Sequence, residues 1–295
     1  MNETVTIAFR SQYSDRVYQL VEQKGSRLMA AVTMKLIDHA EDAYFERLGS
    51  ATVRRKTVRN SLSEPSDIPH SRRKMFMEDY YSEVWLDKED ELRMLIDPKS
   101  DYAMKQAAAL GRQIDDLIIA AATGNATAVD DAYGTTTVAL PSGQIVGEDI
   151  GASNSDLNVD KLLNTNRIFD QNDCEEGASR VIVYDAKAKE ALLNTTEIGS
   201  RDFNSVYALV TGSVNSFCGF NFILSNRILG AGTEGDPRLV LAFEKEGIGL
   251  AMQRNITSRM VEDDQRHFMW KVYSSMSAAA TRVEEERVVS IECVG

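Results

Sequence analysis

The stretch VRRKTVRNSLSEPSDIPHSRRK, residues 53–74, does not read as part of a compact domain. It holds seven Arg or Lys (Arg54, Arg55, Lys56, Arg59, Arg72, Arg73 and Lys74) against Glu64 and Asp67. That is a net +5 in a chain of net −12, so the remainder carries −17. Its main apolar residues are Val53, Val58, Leu62 and Ile68, too few for a core of its own. Pro65 and Pro69 donate no ladder hydrogen bond and suit a loop tip or a strand edge. Long loops inside compact domains are uncommon and are either functional or disordered. The stretch therefore needs a surface to lie on. The acidic runs MVEDD (with Glu262, Asp263 and Asp264), VEEER (with Glu284, Glu285 and Glu286) and CEEG offer one of opposite sign. A single exposed ion pair is worth about 0–1 kcal/mol, so many pairs acting together across copies of the chain are expected.

Outward from this stretch, residues 46–86 read as one long hairpin that returns through MFMEDYYSEVWL, where Phe76, Tyr80, Tyr81, Val84 and Trp85 favour strand. Next comes the clearest helix, 101–123, after the break at Asp97 and Pro98. Ala103, Ala107, Leu110, Ile114, Leu117, Ile118 and Ala121 form one apolar stripe, and Gly124 ends it. At about 1.5 Å per residue it is roughly 35 Å long, enough to run through a whole domain. Residues 125–157 read as turns and short strands. An αβ alternation follows: a helix after the cap Asn158, the buried strand SRVIVYD, a helix capped by Asp185, then the strands SFCGFNFILSN and PRLVLAFE around the turn LGAGTEGD. Phe268, Trp270 and Val272, then Val289, Ile291 and Cys293, alternate as half-buried strands do. Ahead of the basic stretch, Phe9, Tyr13, Val17, Leu20 and Val21 describe an amphipathic helix that Gly25 ends.

With 295 residues, 43% hydrophobic and 26% charged, the chain is globular. No apolar run approaches the roughly 20 residues that span a bilayer, and the N-terminus lacks the basic-then-apolar order of a signal peptide. Cys174, Cys218 and Cys293 are odd in number and widely spaced, which suggests neither a disulfide framework nor a zinc site; Cys218 and Cys293 read as small core residues. The acidic balance argues against nucleic-acid binding over the whole surface.

Signals for chemistry are weak. His39, His70 and His267 lie near no second ligand at metal spacing, so no metal and no cofactor is expected. Cys218, His267 and Asp263 or Asp264 can be drawn as a hydrolase triad, but His267 reads as the start of a strand and Cys218 as core. GAGTEG lacks the GK[ST] ending of a phosphate loop and reads as a turn. Asp115 and Asp116 read as solvated or intersubunit charge.

Several stretches resemble, in matching order, the major capsid proteins of tailed bacteriophages, with the Hong Kong 97-type fold. They are QKGSRL (23–28), PHSRRKMFMEDYYSEVWLDKEDELRMLIDPKSDYAMKQAAALGRQIDDLIIAAATGNA (69–126), TTEIGSRDFNSVYALVTGSVNSFCGFNFI (195–223) and SAAATRVEEERVVSIEC (277–293). The resemblance implies an α+β fold with an N-terminal arm (1–42), an extended loop (43–87), a peripheral domain (88–157 and 246–295) with a spine helix (100–124), and an axial domain (158–245). It implies a structural protein without catalysis that forms pentamers and hexamers of an icosahedral shell around double-stranded DNA. Its partners would be a portal and scaffolding or cement proteins, with no membrane and no sequence-specific DNA contact. Its place would be the virion, after assembly in the bacterial cytoplasm. The basic residues 54–74 would then contact a neighbouring subunit, and deleting 50–74 would spare the fold. No long helical segment precedes the arm, so either a processed form or a separate scaffolding protein is expected. A bacterial nanocompartment shell of the encapsulin type, a soluble cysteine hydrolase and a DNA-binding protein are the alternatives.

Overall fold

The computed structural model describes residues 22–38, 41–56, 59, 65–87, 99–129, 134–152, 155–175, 179–194, 216–228 and 238–294. The expected helix from Phe9, the break at Asp97 and Pro98 and the turn LGAGTEGD lie outside them. Strands β1 (Thr33–Leu36), β2 (Asp42–Leu48), β3 (His70–Phe76) and β4 (Glu78–Leu86) precede helix α1 (Lys99–Thr123). Strands β5 (Ala126–Val129), β6 (Thr135–Val138) and β7 (Ile145–Val146) lead to helix α2 (Val159–Gln171), strand β8 (Arg180–Tyr184) and helix α3 (Ala186–Asn194). Strands β9 (Ser216–Phe217), β10 (Phe220–Leu224), β11 (Arg238–Glu244), β12 (Ile248–Asp263), β13 (Met269–Arg282) and β14 (Val288–Cys293) follow. Two expected caps are in place, with Asn158 Oδ1 accepting from Lys161 N at 2.8 Å and Asp185 Oδ1 from Ala188 N at 2.9 Å, whereas Ser100, expected to cap the long helix, lies within its first turn.

The strands form three sheets, ordered β1-β12-β13-β4, β7-β14-β11-β8-β10-β9 and β2-β3-β5-β6. In the six-stranded sheet every residue of β8 is buried. Ile182 and Tyr184 join a core with Leu162 and Phe169 of α2 and Leu192 of α3. Val181 and Val183 point the other way, into a core with Leu110, Ile114 and Ile118 of α1 and Leu250 and Met276 of β12 and β13. A strand buried on both faces reads as an unbroken apolar run, as SRVIVYD does. β14 pairs with β11 and β7 with β14, so residues from the ranges 88–157 and 246–295 share this sheet with strands of 158–245. Alternation reveals that a strand is half-buried; it does not name the strand it pairs with.

The reverse faces of β12 and β13 carry Ala251 and Ala279, which bury Ala43 and Met75 of the β2–β3 hairpin. Gly249 lies under the Phe45 ring, where an added Cβ would stand 2.6 Å from the ring carbons, so the hairpin can lie flat only over a glycine. The distal parts of β12 and β13 run beyond the core, and the turn between them places His267 and Phe268 at φ 53° and 57°. His267 thus sits in a turn rather than starting a strand. Cys218, at φ 50°, shares the two-residue turn between β9 and β10 with Gly219 at φ 80° and is half-buried, packed against the edge of the core.

Candidate functional site: a projecting hairpin with a buried ionic root

β2 and β3 pair antiparallel from Asp42 with Phe76 to Leu48 with His70. Gly49 N donates to Pro69 O at 2.8 Å, and Thr52 and Ser66 hydroxyls meet at 2.8 Å, so the two legs run on past the last ladder pair. β4, the rest of the expected return strand, turns instead onto β13. From the last ladder pair outward the side chains are exposed: Leu48 is 70% exposed, Val53 97% and Ile68 41%. Arg54, Arg55 and Lys56 lie on this exposed leg, outside regular secondary structure, and Arg59 is exposed in a turn.

The other three basic residues lie on β3 and are engaged within the chain. Arg72 crosses to Glu46 at 3.3 Å on the exposed face. Lys74 Nζ meets Asp42 at 2.6 Å, and that hydrogen bond raises the lysine pKa. Arg73 is buried: its Nη2 donates to both oxygens of Glu285, at 2.6 and 2.8 Å, and its Nε to Val283 O at 3.3 Å. Glu285 also accepts from Arg47 Nη1 at 3.2 Å, while Arg47 Nη2 lies 3.8 Å from Glu286. Glu284 pairs with Arg287, which reaches Glu244 at 3.1 Å. The acidic run at 284–286, read as a surface for another copy, is thus engaged by arginines of its own chain, because the last turn before β14 folds against the hairpin root. A deletion of 50–74 would remove most of β3, Arg73 included. Glu262 and Asp264 stay exposed and Asp263 half-exposed at the far end of the β12–β13 hairpin, where Asp263 Oδ1 accepts from Gln265 N.

Asp115 departs furthest from the sequence reading. It is fully buried on α1, and its carboxylate accepts from Gln23 Nε2, Ser26 Oγ, Arg27 N and Leu28 N at 2.5–3.1 Å. It anchors residues 23–28 to the helix. Asp116, one step round, pairs with Arg227. A signal for Asp115 existed in the segment QKGSRL, whose polar and glycine residues leave backbone N–H groups in need of an acceptor.

Burial pushes all three thiols up, Cys174 to about 11 and Cys293 to about 12, so they stay protonated at neutral pH. Cys218 and His267 stand on turns of different sheets. Among the described residues no group of three or more His, Cys, Asp or Glu is placed to share a metal ion, and no helix is long and apolar enough to cross a membrane.

A model of the phage capsid protein family matches residues 5–295. The chain belongs to that family. No curated protein sequence matches this phage capsid protein significantly. Its fold is similar to the capsid of cyanophage P-SCSP1u, with a TM-score of 0.73 at 17% identity over 98% of this chain and 94% of the other. It is also similar to the capsid of Ralstonia phage GP4 (0.72, 9% identity, 97% and 95% of the chains) and of a native GTA particle (0.70, 10% identity, 97% and 95%). The likeness to phage capsid folds thus extends over nearly the whole chain.

Proposed function

We propose that this phage capsid protein is the shell-forming subunit of a tailed-phage head with the Hong Kong 97-type fold, and that its copies assemble as pentamers and hexamers into an icosahedral shell around double-stranded DNA. Its role is structural, without catalysis. In that reading residues 43–87 are the extended loop, α1 is the spine, the region near 158–245 is the axial domain, and portal, scaffolding and cement proteins are its partners. Assembly takes place in the bacterial cytoplasm. The observation that carries the reading is the pair of exposed legs beyond Gly49 and Pro69, with Val53 97% exposed beside Arg54, Arg55 and Lys56. Apolar and cationic groups presented together suit a contact with the next subunit, where complementary charge fixes register. Outside the 53–74 stretch the chain carries −17, which suits an inner wall past which packaged DNA slides instead of adhering.

The test removes residues 51–67 and leaves β2, β3 and Arg73 in place. The expected product is a folded subunit with unchanged circular dichroism that forms no stable shell, whereas the full chain gives regular particles tens of nanometres across by electron microscopy. Normal shells from the shortened chain would overturn the assignment of the legs.

A further inference from the structure

The hairpin root is a charge junction whose geometry the assembly reading does not use. Three guanidinium groups converge on Glu285: Arg73 from β3, Arg47 from β2, and Arg282, whose Nε lies 3.7 Å from the carboxylate. Arg282 is fully buried, and its other nitrogens donate to Ala122 O and Gly124 O at the C-terminal end of α1 and to Val138 O at the end of β6. Its Nε, aimed toward Glu285, has no hydrogen-bond partner. One carboxylate therefore ties both strands of the hairpin to the helix end.

Other attachments at this root are thin. Ala43, Met75, Ala251 and Ala279 are the buried apolar members, with Ile37, Phe45 and Met77 partly buried against them. The hairpin joins its sheet through three residue pairs, Arg72 to Val129, Arg73 to Ala128 and Lys74 to Thr127, and β2 is the sheet's outer strand. A cleft of about 210 Å³ opens beside it, lined by Lys74, Phe76, Leu117 and Thr281 among others. Beside so small an apolar contact, the strongest directional attachment at the root is the buried charge-assisted pair in which the single Arg73 Nη2 donates to both Glu285 oxygens.

We propose that Glu285 is a positioning residue for assembly: it fixes the angle at which the β2–β3 hairpin leaves the body, and with it the geometry of the subunits the hairpin joins. The inference rests on the assembly reading. Without the carboxylate, two buried guanidinium groups lose their counter-charge, and tilting the hairpin toward solvent relieves them.

The test is Glu285→Gln, which keeps the shape and removes the charge, examined first as purified unassembled subunit by hydrogen exchange. Amides of 42–48 and 70–76 are expected to exchange roughly 10-fold faster while those of β8 and β11 are unchanged. Assembled E285Q should then give shells of mixed diameter where the unsubstituted chain gives one. Unchanged hairpin exchange, exchange that rises evenly through the molecule, or a loosened hairpin that still builds uniform shells would each overturn the proposal. Should E285Q not fold, Arg47→Gln removes the outermost arginine of the junction and is expected to move the same two readouts less far; no movement in either overturns the proposal. Failure of the unsubstituted chain to form shells would instead count against the assembly reading, since the exchange measurement concerns the free subunit.

Discussion

Gly111 on α1 faces Gly25 so closely that a Cβ added to Gly111 would stand 2.8 Å from the Gly25 Cα. Backbone against backbone, residues 22–28 lie flat along the helix and are held on either side of the contact. Glu22 pairs with Lys105 and Arg112, whose Nη1 also donates to Gln23 O, and Asp115 takes the amides of Arg27 and Leu28. Gly111→Ala is expected to lower stability by about 1–3 kcal/mol through overpacking. Asp115→Ala should cost about 3 kcal/mol, since it leaves buried amides without an acceptor. Denaturant unfolding of both variants measures this, and a neutral Asp115→Ala would mean that the segment detaches freely.

Replacing Arg54, Arg55 and Lys56 together by Glu leaves the hairpin root untouched, so the subunit should unfold at the same denaturant concentration as before. Assembly is another matter. If these cations meet acidic groups on a neighbour, light scattering should show a larger loss at about 50 mM salt than at about 500 mM, because screening already weakens exposed pairs at the higher value. Equal loss at both would remove the electrostatic part of the contact.

Cys293 and Cys174 hold their protons to about 12 and about 11 in the folded chain, against an ordinary 9.0, because burial disfavours the thiolate. An unfolded chain releases those protons from about pH 9, whereas the folded chain does not. The associated stability is therefore fully present below about pH 9 and is lost as the pH rises toward 11 and 12, by up to about 1.4 kcal/mol per pH unit for each thiol. Urea unfolding at about pH 8 and pH 10 should show the decline, and Cys293→Ala should show a shallower one.

Arg282→Met should be among the most damaging substitutions. It strips the acceptors at Ala122, Gly124 and Val138 of their donor and removes one of the cations at Glu285. A loss of about 3–5 kcal/mol is expected, read by thermal unfolding. A loss under about 1 kcal/mol would show that water replaces the guanidinium.

Local features were legible from sequence because their causes are local. The apolar stripe of α1, the caps Asn158 and Asp185 and the unbroken run of β8 each follow from spacing within a few residues. The hairpin was legible too, through its poverty of core residues and its prolines. What escaped depends on distance along the chain. Arg73 and Glu285 are separated by 212 positions, and a buried arginine looks like an exposed one until its partner is known. Asp115 and Asp116 are adjacent and chemically identical, yet a turn of 100° puts one under residues 23–28 and the other beside Arg227. Cys218 was read as core from its apolar neighbours, although a glycine directly after it marks a tight turn.

β1, near the beginning of the chain, lies parallel on β12, and the hairpin root rests on Ala251, Ala279 and Glu285, all close to the other end. A nascent chain still on the ribosome therefore displays the basic stretch before it owns the seat that aims it. The hairpin takes its direction only once those later residues have been made and folded against it.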